Sequence, residues 1–247
     1  MKSEKLFEVF CERGRIPCRR LSPDCAPTPD YEITIAGTRT YVEIKELTPN
    51  ADEEKVVGEW EAKRGTGEFV TWGDTIGRRV RREIESARRQ IKRLAAGKSP
   101  GVLLLYDARP PPFTGIEPHE IEAAMYGPES IDLHVSKEPG EPVRFGRHRF
   151  GKGKKCRHDS HTYISAIGLL RELHLDGKSH IDLYHNIHAD PKHALPLREI
   201  VARNDMTVFT LAPGKGDEYR GWARMVTEKE YSEVNKTLLG PAETAAR

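Results

Sequence analysis

The chain has 247 residues, 37% of them hydrophobic, enough to bury a sizeable core as one large domain or one domain with insertions. No uninterrupted apolar run reaches the roughly 18 residues a membrane-spanning helix needs, and "MKSEKLFEVFCERG" at the start lacks the apolar stretch of a secretory signal. The net charge of +2 conceals an asymmetry: acids dominate 46–61, while 77–94 and 144–159 are strongly basic and suit either an anionic polymer or a solvated face.

In chain order, residues 4–12 read as a short helix, with Ser3 as N-cap and Leu6, Val9 and Phe10 on one side. A Pro-rich connection over 17–29 follows, then two short strands at 30–35 and 40–47 about a tight turn. Residues 48–76 are acidic, then Gly-rich, and carry Trp60, Phe69 and Trp72; they read as a partly helical insertion. Over 78–96, Val80, Ile84, Ala87, Ile91 and Leu94 repeat at the three-and-four spacing of one buried stripe, with Gly97 placed as a C-cap. "GVLLLYD" (101–107) is a continuous apolar run, as expected of a strand covered on both faces.

A second helix is expected over 117–126, with Pro118 in its first turn and Gly127 ending it. Strands are expected at 131–135, 162–169, 181–187 and 207–211, with a short helix at 196–203 and a loose tail. This order indicates an α/β sandwich with a mixed sheet. It is read as a single domain over 1–212, with a basic loop at 144–159 and a C-terminal extension over 213–247. Four cysteines, three of them within the first 25 residues at seven-residue spacing, match neither a zinc pattern nor a disulfide framework. They read as thiols of a reduced, cytoplasmic protein.

The hairpin carries the chemistry. With a two-residue turn at Gly37-Thr38, Ile33 faces Val42, Glu32 faces Glu43, and Asp30 faces Lys45. Alternation then gives an apolar face of Tyr31, Ile33, Ile35, Val42 and Ile44, and a polar face of Asp30, Glu32, Thr34, Tyr41, Glu43 and Lys45. A three-residue turn scrambles both faces and is rejected by burial. Moving the turn back to Ala36-Gly37 sets Asp30 opposite Glu43 and keeps both faces. Either way Asp30, not Asp24, is the partner of Glu43 and Lys45. Such a face is also what a plain exposed hairpin presents, with ion pairs worth under about 1 kcal/mol. Glu32 opposite Glu43, however, is unfavourable unless a cation relieves it.

Pro29-Asp30, a short hairpin, then Glu43-Ile44-Lys45 resembles the PD-(D/E)xK signature of restriction-endonuclease-like nucleases, with a helix before it and a helix and buried strand after it. The resemblance covers roughly residues 4–107. It implies a restriction-endonuclease-like mixed sheet flanked by helices, and metal-dependent hydrolysis of phosphodiesters. By match to the motif, Asp30, Glu43 and the carbonyl of Ile44 hold Mg²⁺ or Mn²⁺. Lys45 orients or helps deprotonate the attacking water and stabilises charge on the phosphoryl oxygens. Family members often add a glutamate from the first helix and a polar residue from the helix after the hairpin; Glu8 and Gln90 are the candidates, each otherwise an ordinary helix-surface residue. The implied partner is nucleic acid, with DNA favoured because the family mostly acts on it, as a monomer or a homodimer. A binding or regulatory module on the same fold, and an RNA-cleaving toxin, are the alternatives.

Outside the motif, Arg144, Arg147, Arg149, Lys152, Lys154 and Lys155 sit among glycines and suit phosphate-backbone contacts. Cys156, His158 and His161 have no zinc spacing, and His185, His188 and His193 read as structural. "APGKGDEY" is too short for a Walker A loop.

Overall fold

The computed structural model describes residues 1–22, 27–63, 76–95, 99–113, 115–135, 140, 142–173, 178–213 and 219–227. Their helices are α1 (Lys2–Arg13), α2 (Ala51–Ala62), α3 (Arg78–Ala95), α4 (Pro118–Tyr126) and α5 (Leu197–Val201). The strands are β1 (Cys18–Arg20), β2 (Tyr31–Ile35), β3 (Thr38–Leu47), β4 (Gly101–Asp107), β5 (Glu129–His134), β6 (Arg144–Phe150), β7 (Ile164–Glu172), β8 (Ser179–His185), β9 (Met206–Pro213) and β10 (Tyr219–Arg224). Among the described residues, eight strands make one mixed sheet in the order β1-β2-β3-β4-β7-β8-β9-β10, and β5 and β6 form a separate ribbon. The centre is parallel (β3 with β4, β4 with β7), and both sides are antiparallel apart from β8 with β9.

Helices cover both faces of the sheet. Val102 and Leu104 of β4 join Phe7 and Phe10 of α1, Tyr31, Ile44 and Ile200 in one core. Leu103 and Leu105, pointing the other way, join the α3 stripe and α4 in a second core. That two-sided burial is why β4 is a continuous apolar run. Val80, Ile84, Ala87 and Ile91 are all at most 1% exposed, as their spacing predicts, and Leu94 is half-buried. Gly97, the expected cap, lies outside the described residues, as do Asp24, Phe69 and Trp72.

Several boundaries differ from the expectation. The first helix begins at Lys2, so Ser3 is not its cap; it is buried in the first turn, where its N–H donates to Glu46 Oε2 at 3.1 Å. Part of the Pro-rich connection forms the edge strand β1, paired with β2. The basic stretch is not a loop throughout: 144–150 is a strand, because β5 offers it a backbone ladder. The sheet also continues past residue 212, since β10 pairs with β9. No helix of the described residues is long and apolar enough to cross a membrane.

Candidate active site

The hairpin turns at Ala36-Gly37, with φ of 49° and 77°, the double positive φ of a type I′ turn. The register is therefore Tyr31 with Val42, Ile33 with Thr40 and Ile35 with Thr38, which is the second of the two placements above. The two-residue shift leaves the faces intact: Tyr31, Ile33, Ile35, Val42 and Ile44 are all buried. It does remove the expected opposition of Glu32 and Glu43. Glu32 faces Tyr41 and is neutralised by Arg19 at 3.1 Å and Arg39 at 3.9 Å. Continued by one pair, the register sets Asp30 opposite Glu43.

The end of this ladder makes the site. Strand β3 pairs with β2 only as far as Val42, but with β4 from Tyr41 to Leu47, so residues 43–47 face an open notch on one side. The residue due opposite Ile44 is Pro29, which has no N–H to donate, so the ladder cannot continue. Instead, the Ile44 N–H donates to Asp30 Oδ2 at 2.7 Å. A strand residue's N–H and C=O leave on the same side, so the Ile44 carbonyl is directed into the notch and lacks a ladder donor there. The result is an open cleft of about 470 Å³ lined by Pro27, Thr28, Asp30, Glu43, Lys45 and Gln90, together with Met1, Ile44 and Glu46.

Glu43 is 2% exposed. Its Oε1 accepts from Lys45 Nζ at 2.8 Å and from Gln90 Nε2 at 2.9 Å. Its Oε2 is buried with no hydrogen-bond partner among the described residues. Burial pushes the Glu43 carboxyl up to about 7 against the pull of Lys45, and the charge of Asp30 adds to the rise. Burial also raises Asp30, opposed by the Ile44 N–H and by Lys45. Two carboxyls near one another with raised pKa values, one with an unused oxygen, suit a hard cation that would favour their ionised forms. Among the described residues no group of three or more His, Cys, Asp or Glu side chains could hold a metal. The donor set in the cleft is thus two carboxylates and a carbonyl, which fits an ion that keeps several of its waters, as Mg²⁺ does.

Of the expected residues, Asp30, Glu43, Ile44, Lys45 and Gln90 converge, and Glu8 does not. Glu8 Oε1 accepts from Tyr31 OH at 2.7 Å and lines a second pocket with Cys11, Cys18 and Arg20. The α1 acid that acts electrostatically on Asp30 is Glu4, 8% exposed and bonded to Arg20 at 2.8 Å and to the N-terminal amine at 3.1 Å. Glu4 and Glu8 are one turn apart on the same helix face, so the sequence carries the same signal for both. Glu46 also lines the cleft, and Arg93 Nη1 donates to Pro27 O and Thr28 Oγ1 of its wall at 3.3 Å each. The basic stretch lies elsewhere. Arg144, Lys152 and Lys154 are exposed, Lys155 pairs with Glu85 at 3.0 Å, and none of the four is in the cleft lining. The side chains of Arg147 and Arg149 lie outside the described residues. Cys156 is wholly buried beneath α3 and α4, and the buried His193 bonds through Nδ1 to Ser99 O at 3.0 Å. Comparison of the chain with family models, with curated proteins and with solved structures finds no match.

Proposed function

We propose that the protein is a metal-dependent nuclease of restriction-endonuclease-like fold that hydrolyses nucleic-acid phosphodiesters, DNA foremost. The observation that carries the reading is the buried, unpartnered Oε2 of Glu43 beside Asp30, in an open notch that Lys45 also lines. Asp30, Glu43 and the Ile44 carbonyl would hold Mg²⁺ or Mn²⁺. When bound, such an ion lowers the pKa of coordinated water and neutralises negative charge on phosphoryl oxygens.

The chain's own residues do the rest. Gln90 and Lys45 fix Glu43 through one oxygen, leaving the other buried and without a partner among the described residues. The Ile44 N–H holds Asp30 in place. Lys45 lines the cleft with its side chain partly exposed, and from there it would orient the attacking water and stabilise a phosphoryl oxygen.

The test is cleavage of labelled double-stranded DNA, single-stranded DNA and RNA with Mg²⁺, Mn²⁺ or EDTA, for wild type, Asp30→Ala and Lys45→Ala. Metal-dependent cleavage by wild type, lost in both variants, is the expected result and names the substrate. Cleavage that persists in both variants assigns the activity to another site. Binding of one nucleic acid without cleavage moves the reading to a binding module on the same fold.

A further inference from the structure

The buried stripe of α3 has a counterpart on the helix's solvent side. Arg82, Ser86, Arg89 and Arg93 repeat at the same four-three-four spacing as Val80, Ile84, Ala87 and Ile91, displaced by two residues, and so lie roughly opposite the core. All four are exposed. The stripe leans toward the flank that carries Gln90, whose amide reaches Glu43, and its C-terminal member Arg93 bonds to two residues of the cleft wall. It therefore leads along the helix to the candidate site.

The cations of α3 are not equivalent. Arg79 is taken up by Glu53 and the Thr48 carbonyl, Arg81 donates to the Ala123 carbonyl, and Arg88 pairs with Glu85 on the opposite flank. These hold the fold together. In the solvent stripe, Arg89 makes no hydrogen bond or ion pair among the described residues. Arg82 engages Glu83 through Nε alone, and Arg93 uses Nη1. With five N–H donors on each guanidinium, most of the donors in this stripe are unused. Arg89 and Arg93, four residues apart, also repel each other, and no acid of α3 stands between them in the stripe.

We propose that this Arg82–Ser86–Arg89–Arg93 ridge is the surface that grips the phosphate backbone of the nucleic acid and leads it to the cleft; the proposal rests on the nuclease reading above. Arginine forks match phosphate geometry, and the Ser86 hydroxyl adds a neutral donor. From 82 to 93 the ridge covers roughly 16 Å of helix axis at about 1.5 Å per residue, the axial length of about five nucleotide steps of one strand.

The experiment measures binding of a short labelled DNA duplex in EDTA across a salt series, for wild type, Arg82→Gln/Arg89→Gln and Lys92→Gln. Both substituted arginines of the double variant are exposed, and glutamine is a good helix former, so the fold is kept. Losing two phosphate contacts should weaken binding about tenfold or more and make the salt slope shallower by about 1.8. Lys92, on the other flank of α3, should leave the slope unchanged. A double variant with wild-type affinity and slope overturns the ridge, as does a Lys92→Gln effect as large per charge. In both of those outcomes metal-dependent cleavage by wild type, abolished in Asp30→Ala, would show that the nuclease reading stands without the ridge. Wild type that neither binds nor cuts removes both together.

Discussion

Replacing Glu43 with glutamine keeps the shape of the buried side chain and removes its charge. In the folded chain the Glu43 carboxyl stands at about 7 against its ordinary 4.5, with burial the largest cause. A carboxyl whose folded pKa is raised contributes its full stability below the unfolded value, and loses it as pH rises through the folded one. For Glu43 that window runs from 4.5 to about 7, and the gap corresponds to about 3 kcal/mol. The attraction of Lys45 is already contained in the folded value, and the glutamine carbonyl can still accept from Lys45 and Gln90. Metal-free Glu43→Gln should therefore exceed wild type in stability by about 3 kcal/mol near pH 8 and by almost nothing near pH 4. Urea unfolding of both proteins in EDTA at those two pH values measures the difference, and titration of carboxyls remote from Glu43 cancels in the comparison. A difference independent of pH, or a variant less stable than wild type near pH 8, would show that burial does not hold the Glu43 carboxyl in its neutral form. Added Mg²⁺ should stabilise wild type at pH 8 and not the variant, because the ion binds the ionised carboxylate.

Four further outcomes are expected. Loss of metal-dependent cleavage in Asp30→Ala and Lys45→Ala tests the site itself. Glu8→Gln should leave cleavage within about twofold of wild type, since Glu8 serves Tyr31 rather than the cleft. Glu4→Gln should lower the pKa of Asp30, followed by NMR titration of its carboxyl, because the Glu4 charge raises it; a shift seen only in Glu8→Gln would reverse the assignment. Gly127→Ala should lower unfolding stability by about 2 kcal/mol or more, because Gly127 has φ of 94° and an added Cβ would meet the Gly151 carbonyl oxygen at 2.5 Å. An unchanged denaturation midpoint would show that the α4–β6 junction relaxes freely.

The two faces of the hairpin, the α3 stripe, the doubly covered β4 and the convergence of Asp30, Glu43 and Lys45 are legible in the order of residues alone. Each follows from a periodicity of two or of 3.6 that burial enforces locally. Gln90 was reachable in the same way, as the flank of a stripe one residue from Ile91. The hairpin register was narrowed to two choices, since a two-residue shift preserves every face. What selects between them is a positive φ at Ala36 as well as Gly37.

Tertiary structure decided the rest, because the deciding partners are distant in the chain. Whether Glu4 or Glu8 faces Asp30 depends on how Phe7 and Phe10 seat α1 against Tyr31, not on helix phase. The stretch 144–150 is charged and Gly-containing and reads as a loop; it becomes a strand only because β5 pairs with it. The unused oxygen of Glu43 likewise has no sequence signature. It arises where β2 begins two residues after Pro29, so that β3 outruns its neighbour and α3 closes over the carboxylate from a separate layer.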